Sequence, residues 1–97
     1  MLVKYVEEAK TPVPEYDPPT PNGRAVLELL KKRNATLDEI AGLTGLSAMV
    51  TCHVLGELSR GGWVGVQRYY PEEGSSLLKS DWFARRPAEI LVVPAAS

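Results

Sequence analysis

The 97 residues include one cysteine, one histidine and one phenylalanine. Cys52 has no second thiol to pair with, so no internal disulfide forms, and a reducing cytoplasm is the expected compartment. Cys52 and His53 are neighbours, and neighbours on a helix do not face each other. They make neither a thiolate–imidazole pair nor a chelate. No other ligands stand at zinc-like spacing, so no metal and no cofactor is expected. Gly61-Gly62 lacks the Lys-Ser/Thr that follows a phosphate-cradling loop. The chain reads as a non-enzyme.

An excess of positive charge is missing as well. Eleven Lys+Arg against twelve Asp+Glu give a formal charge of -1, whereas domains held on nucleic acid chiefly by their field are usually basic. Any basic face must therefore be local. No apolar run approaches the roughly 20 residues that span a bilayer, and "MLVKYVEEAK" carries no apolar stretch of signal-peptide length. No membrane partner is expected. Apolar residues at 44% and charged residues at 24% are globular values, enough for one domain with a modest core.

Residues 1–19 read as a proline-rich arm, 20–94 as the folded domain and 95–97 as a tail. Leu2–Val6 suits a strand or a weak helix. "TPVPEYDPPTP" follows, and its prolines favour a stiff, polyproline-like course, either a frayed tail or an arm that docks on its own domain or on a partner subunit. Thr20-Pro21 opens a helix over 21–33, with Val26, Leu29, Leu30 and Arg33 at helical spacing and Lys31, Lys32 and Arg33 where cations suit the helix dipole. Thr36 and Glu39 form a capping box for a helix over 37–44 whose apolar face is Leu37, Ile40 and Ala41. Ser47 caps a third helix, 48–60, with Thr51, Val54, Leu55 and Leu58 inward, and Gly61-Gly62 ends it. "WVGVQRYY", 63–70, alternates as a strand does, and "EILVVP", 89–94, predicts its hairpin partner. Residues 71–87 are too many for a featureless loop, so a short helix or an extra strand is expected there.

Helix, helix, turn, helix and hairpin together resemble the winged helix-turn-helix superfamily of small transcription regulators, over roughly residues 20–94 and most specifically 37–56. Ala41 matches the small residue that lets the two helices pack closely. Gly45 matches the turn glycine, and Ile40, Leu46 and Val54 the apolar contacts between them. "GGWV" looks like the exit into the wing. Thr44 and Thr51 depart from the family, which usually has aliphatic residues there. The resemblance implies an α+β fold of three helices on a small antiparallel hairpin wing.

It also implies that helix 48–60 enters the major groove of double-stranded DNA, with the 63–94 wing on the backbone. The matching positions are Thr36, Ser47, Ala48, Met49, Cys52, His53 and Gly56. None is Arg, Lys, Asn or Gln, the side chains suited to bidentate base contacts. Readout would rest on shape: Ala48 and Met49 on thymine methyls, Ser47 on phosphate, His53 on either. Arg68, Lys79, Arg85 and Arg86 are the candidates for backbone contacts. Tyr69, Tyr70, Trp82 and Phe83 are placed near them at the wing tip, where they strengthen that contact or else form a satellite core or a dimer contact. The expected function is a sequence-specific transcriptional regulator acting as a homodimer. The alternative is a winged-helix module that binds a protein partner in a transcription or replication assembly, which the neutral helix face and the acidic balance favour.

Overall fold

The computed structural model describes residues 2–7, 10–70, 74 and 78–86. Its elements are β1 (Leu2–Glu7), α1 (Pro21–Lys32), α2 (Leu37–Thr44), α3 (Ala48–Gly61), β2 (Val64–Tyr70) and β3 (Lys79–Ala84). The architecture is α+β, three helices against a sheet that includes a two-stranded antiparallel hairpin, and it is compatible with the expected winged-helix layout.

Each helix begins where a side chain can satisfy a free backbone N–H. Thr20 accepts from the Gly23 amide at 3.1 Å and Ser47 from the Val50 amide at 3.2 Å. At Thr36 the capping box is complete: its hydroxyl accepts from the Glu39 amide, and the Glu39 carboxylate accepts from the Thr36 amide. Arg33 also pairs with Glu39, tying the end of α1 to the start of α2. α2 ends at Gly45, whose φ of 76° lies in the left-handed region that costs a residue with a Cβ about 1–2 kcal/mol.

Val26, Leu27, Leu30, Ala35, Ile40, Val54, Leu55, Leu58, Trp63 and Val64 form one buried cluster between the helices and the sheet. The α3 stripe read from the sequence is all inside. Thr51, one of the two departures from the family pattern, is fully buried and donates its hydroxyl to the Ser47 carbonyl at 2.8 Å. Thr44 makes the equivalent bond to Ile40 at 2.7 Å. Both hydroxyls are satisfied within their own helix, so the buried Thr51 and the half-buried Thr44 are accommodated at little cost. On α1, Leu27 joins the core, Leu29 is half-buried and Arg33 is exposed, which moves the inward face slightly from the one expected.

The sheet runs β1-β2-β3, antiparallel throughout. β1 pairs with β2 from Leu2↔Tyr70 to Glu7↔Val66, with an irregularity between Val3 and Tyr5. β2 pairs with β3 from Val64↔Ala84 to Tyr69↔Lys79. Across the hairpin β2 therefore pairs with 79–84 rather than with the 89–94 expected, and 89–94 lies outside the described residues. β3 is fixed from its other side by Ala35, which exchanges backbone bonds of 3.1 and 2.7 Å with Trp82. Trp82 and Ala84 pack on the core, so the hairpin's inner face begins the sheet-to-helix contact and its outer face carries Asp81 and Phe83. Trp82 and Phe83 thus lie toward the base of the hairpin, where Val66 and Gly65 face them, and not at its tip.

The proline-rich segment docks on its own domain. Pro18 is fully buried, Arg24 donates to the Pro18 and Pro19 carbonyls at 3.1 and 3.3 Å, and Trp63 Nε1 donates to the Tyr16 carbonyl at 2.9 Å. The Tyr16 ring meets the Trp63 ring edge to face, 5.5 Å between centroids.

Candidate functional site

α2 and α3 are joined by Gly45, Leu46 and Ser47, and the chain bends by 110° between them. Two helices at about 90–120° across a short glycine turn are the geometry of a helix-turn-helix unit. Ile40 from α2 and Val54 from α3 are buried against each other's side of the turn, with Leu46 half-buried beside them and Ala41 keeping the approach close.

Burial of Thr51, Val54, Leu55 and Leu58 dictates what α3 turns outward, because a helix repeats every 3.6 residues. Ser47, Ala48, Met49, Cys52 and His53 are exposed, and Gly56 is half-exposed. The structure therefore brings together on one uncovered helix face the six positions singled out on and before α3. Met49 is the most open, at 82%. Val50, at 40%, and Leu43 of α2, at 60%, are exposed apolar side chains as well. Thr36 stands apart at the head of α2, its hydroxyl engaged in the capping box.

The face is poor in positive charge. No Lys or Arg occurs between Arg33 and Arg60, while Asp38, Glu39 and Glu57 do. His53 Nε2 lies 2.9 Å from the Glu57 carboxylate. The Thr36 backbone bond does most to lower the pKa of Glu39; desolvation opposes it, and the Thr36 hydroxyl and Arg33 each lower it further by less. Glu39 thus stays ionised at the head of α2, where helix N–H groups favour an anion.

The four candidate backbone contacts divide. Lys79 is exposed at the start of β3, at the far end of the hairpin from the core, and is free to meet a phosphate. Arg68 is half-buried on β2 and engaged. Beside it the Tyr69 hydroxyl donates to Asp81 at 3.3 Å, and desolvation, then that carboxylate, raises its pKa. Arg85 closes the base of the domain: Nη1 donates to the Gly62 carbonyl at 2.8 Å and Nη2 to the Thr11 carbonyl at 2.7 Å. Arg86 is exposed, beside the end of α1 rather than beside α3. Arg60, at the last turn of α3 and exposed, is a cation near the helix that sequence reasoning passed over. Its only signal was helical phase, which places it on the side of Gly56 and His53.

Among the described residues, no three His, Cys, Asp or Glu side chains gather as metal ligands would, and no single helix is long and apolar enough to cross a membrane. Comparison with known proteins gives no match to a family model, to a curated protein or to a solved structure.

Proposed function

We propose that this protein is a winged helix-turn-helix regulator of transcription that binds double-stranded DNA sequence-specifically, with α3 as the recognition helix. One observation carries this reading: the 110° helix pair presents an uncovered α3 whose exposed first residues include Ser47, Ala48, Met49 and Cys52, with the β2–β3 hairpin following directly. Ser47, Ala48 and Gly56 leave room for close approach to the groove floor, and Met49 offers a flexible apolar contact for a thymine methyl. Thr36 and Ser47, each at a helix N-terminus, suit phosphate oxygens. Lys79 on the hairpin and Arg60 at the end of α3 supply the attraction. A homodimer would place two such helices on half-sites about 10 base pairs apart.

Selection from a random duplex library with the purified protein at moderate salt tests the proposal. A two-fold-related motif is the expected result. Met49→Arg should raise affinity for all DNA and blur the motif, while Gly56→Leu should obstruct docking. A Cβ at Gly56 meets only the flexible end of Arg60, at 3.3 Å, so the core is left alone. Failure to enrich any motif would overturn the reading.

A second reading has its own observation. Leu43, Met49 and Val50 are exposed apolar side chains of α2 and α3, the helices that also expose Asp38 and Glu57, a combination that repels phosphate and suits a protein. Under that reading the same Met49→Arg change abolishes capture of a protein partner, and no DNA motif is recovered.

A further inference from the structure

We infer that the N-terminal arm is a strap that locks a glycine joint between α3 and the β2–β3 hairpin, with Arg85 as the positioning residue that fastens it. α3 passes into β2 through Gly61, Gly62 and Trp63. Successive glycines make a permissive backbone joint, and Gly62 uses that freedom, with φ at 91°. The angle between helix and hairpin is then set by what packs around the joint.

Two segments distant in the chain meet there. Arg85, directly after β3, bonds to both residues that separate α3 from β2. Its backbone N–H donates to the Trp63 carbonyl at 2.9 Å and Nη1 to the Gly62 carbonyl at 2.8 Å. Nη2 donates to the Thr11 carbonyl of the arm at 2.7 Å. A guanidinium holds its donors in a rigid planar fork, so the side-chain bonds fix an orientation as well as a distance. Trp63 grips the arm further along, with Nε1 on the Tyr16 carbonyl and its ring against that of Tyr16. The closeness of the assembly is plain at Gly62. A Cβ there would lie 3.2 Å from both Arg85 Nη1 and Thr11 Oγ1, and 3.5 Å from the Pro12 carbonyl.

The arm suits this task. The bonds to it fall on backbone carbonyls, those of Thr11, Tyr16, Pro18 and Pro19, and a segment rich in proline offers carbonyls more readily than N–H groups. Its stiffness lowers the entropy lost on seating. Buried Pro18 and the Arg24 bonds anchor the end nearest α1, so the strap runs from the head of α1 to the joint. Packing that only added stability has no reason to converge on Gly62 and Trp63. The consequence for DNA rests on the reading of α3 as recognition helix: the joint sets where Lys79 of the hairpin stands relative to Met49.

The test uses the full chain without DNA. Nitroxide labels go on the native Cys52 of α3 and on the hairpin through Lys79→Cys, both exposed positions, and pulsed electron paramagnetic resonance reads the distance between them. A narrow distribution is expected in the parent. Arg85→Lys keeps the charge and loses the fork, and it should about double the width while the helical circular dichroism stays unchanged. Tyr16→Ala removes an exposed ring and should widen the distribution by less. An unchanged width in Arg85→Lys would overturn the inference; should that variant not fold, an unchanged width in Tyr16→Ala would do so. In the unlabelled chain, Arg85→Lys should shrink the loss of DNA affinity caused by Lys79→Ala, read from a double-mutant cycle. Strictly additive losses would overturn the positioning role. If the width doubles and no variant binds DNA, the strap is upheld and it is the reading of α3 that fails.

Discussion

Thr36 was read both as a helix cap and as a phosphate contact, and the two roles make separable demands on one hydroxyl. Its lone pairs face the Glu39 amide, so Thr36→Ala should cost about 1 kcal/mol of stability, read as a lower denaturant midpoint with unchanged slope. Thr36→Ser keeps the cap, and any loss of DNA affinity in that variant would need another cause. Glu39 adds a pH signature. Its folded pKa is below the unfolded one, so its stabilising effect is full above the unfolded value near 4.5 and is lost as pH falls through the folded value. Glu39→Gln should therefore flatten the stability profile below about pH 4.5 and leave its shape near neutrality alone; an identical acid limb in both proteins would refute this. Glu57 bears on function instead. It sits on the outward side of α3 against His53, and one like charge near a phosphate in water is worth about 1 kcal/mol. If α3 enters DNA, Glu57→Gln should tighten binding about fivefold, independent of sequence, in a fluorescence-anisotropy titration.

The helices were legible in the sequence because each carries both its period and its caps. Thr20-Pro21, Thr36 with Glu39, and Ser47 mark starts; Gly45 and Gly62 mark ends; Thr51, Val54, Leu55 and Leu58 mark the inner stripe. The strand opposite β2 was not legible. "KSDWFA" hides its alternation, Trp82 and Ala84 inward against Asp81 and Phe83 outward, behind three polar residues, and what selects it is the bridge to Ala35, a tertiary contact. "EILVVP" has the stronger strand composition, so propensity pointed past the true partner. The site divides the same way. Helical phase gave the outward face of α3, whereas the meeting of Lys31–Arg33 with Arg85 and Arg86 depends on how two distant elements pack. The composition of the arm allows either a frayed tail or a docked segment, and the structure seats it on its own domain through Tyr16, Pro18 and Trp63. Deleting residues 1–18 should then lower the melting temperature, since it strips β1 from β2 and uncovers Trp63. Gly61 tests the same seat from the helix side. A Cβ there would fall 2.1 Å from the Trp63 ring, so Gly61→Ala must move the indole from Tyr16 and should cost roughly 1–3 kcal/mol by overpacking. A melting temperature unchanged in both variants would mean that the arm adds nothing to the fold.

Charge is unevenly spread along the chain. The stretch from Asn34 to Ser59 holds three carboxylates and no Lys or Arg, while Lys31, Lys32, Arg33, Arg85 and Arg86 gather at a groove where the end of α1 meets the end of β3. A near-neutral total conceals this separation, which is why composition alone argued against DNA without deciding the matter. The separation limits how the protein can bind a duplex. Each phosphate neutralised contributes about 0.9 to the slope of log affinity against log salt. With α3 in the groove, Lys79 and Arg60 are the exposed cations positioned to meet the backbone, so the slope should be shallow, near −2 per protomer. Lys79→Ala should reduce its magnitude by about one, and Arg86→Ala should leave it unchanged. A slope of −4 or steeper that collapses in the Lys32→Ala, Arg86→Ala double variant would mean that the duplex lies on the groove. It would then be the basic end of the domain, and not α3, that holds DNA, leaving the exposed Leu43, Met49 and Val50 surface to a protein partner. A shallow slope sensitive to Lys79 and indifferent to Arg86 would assign DNA to the helix pair and leave the basic groove out of the DNA interface.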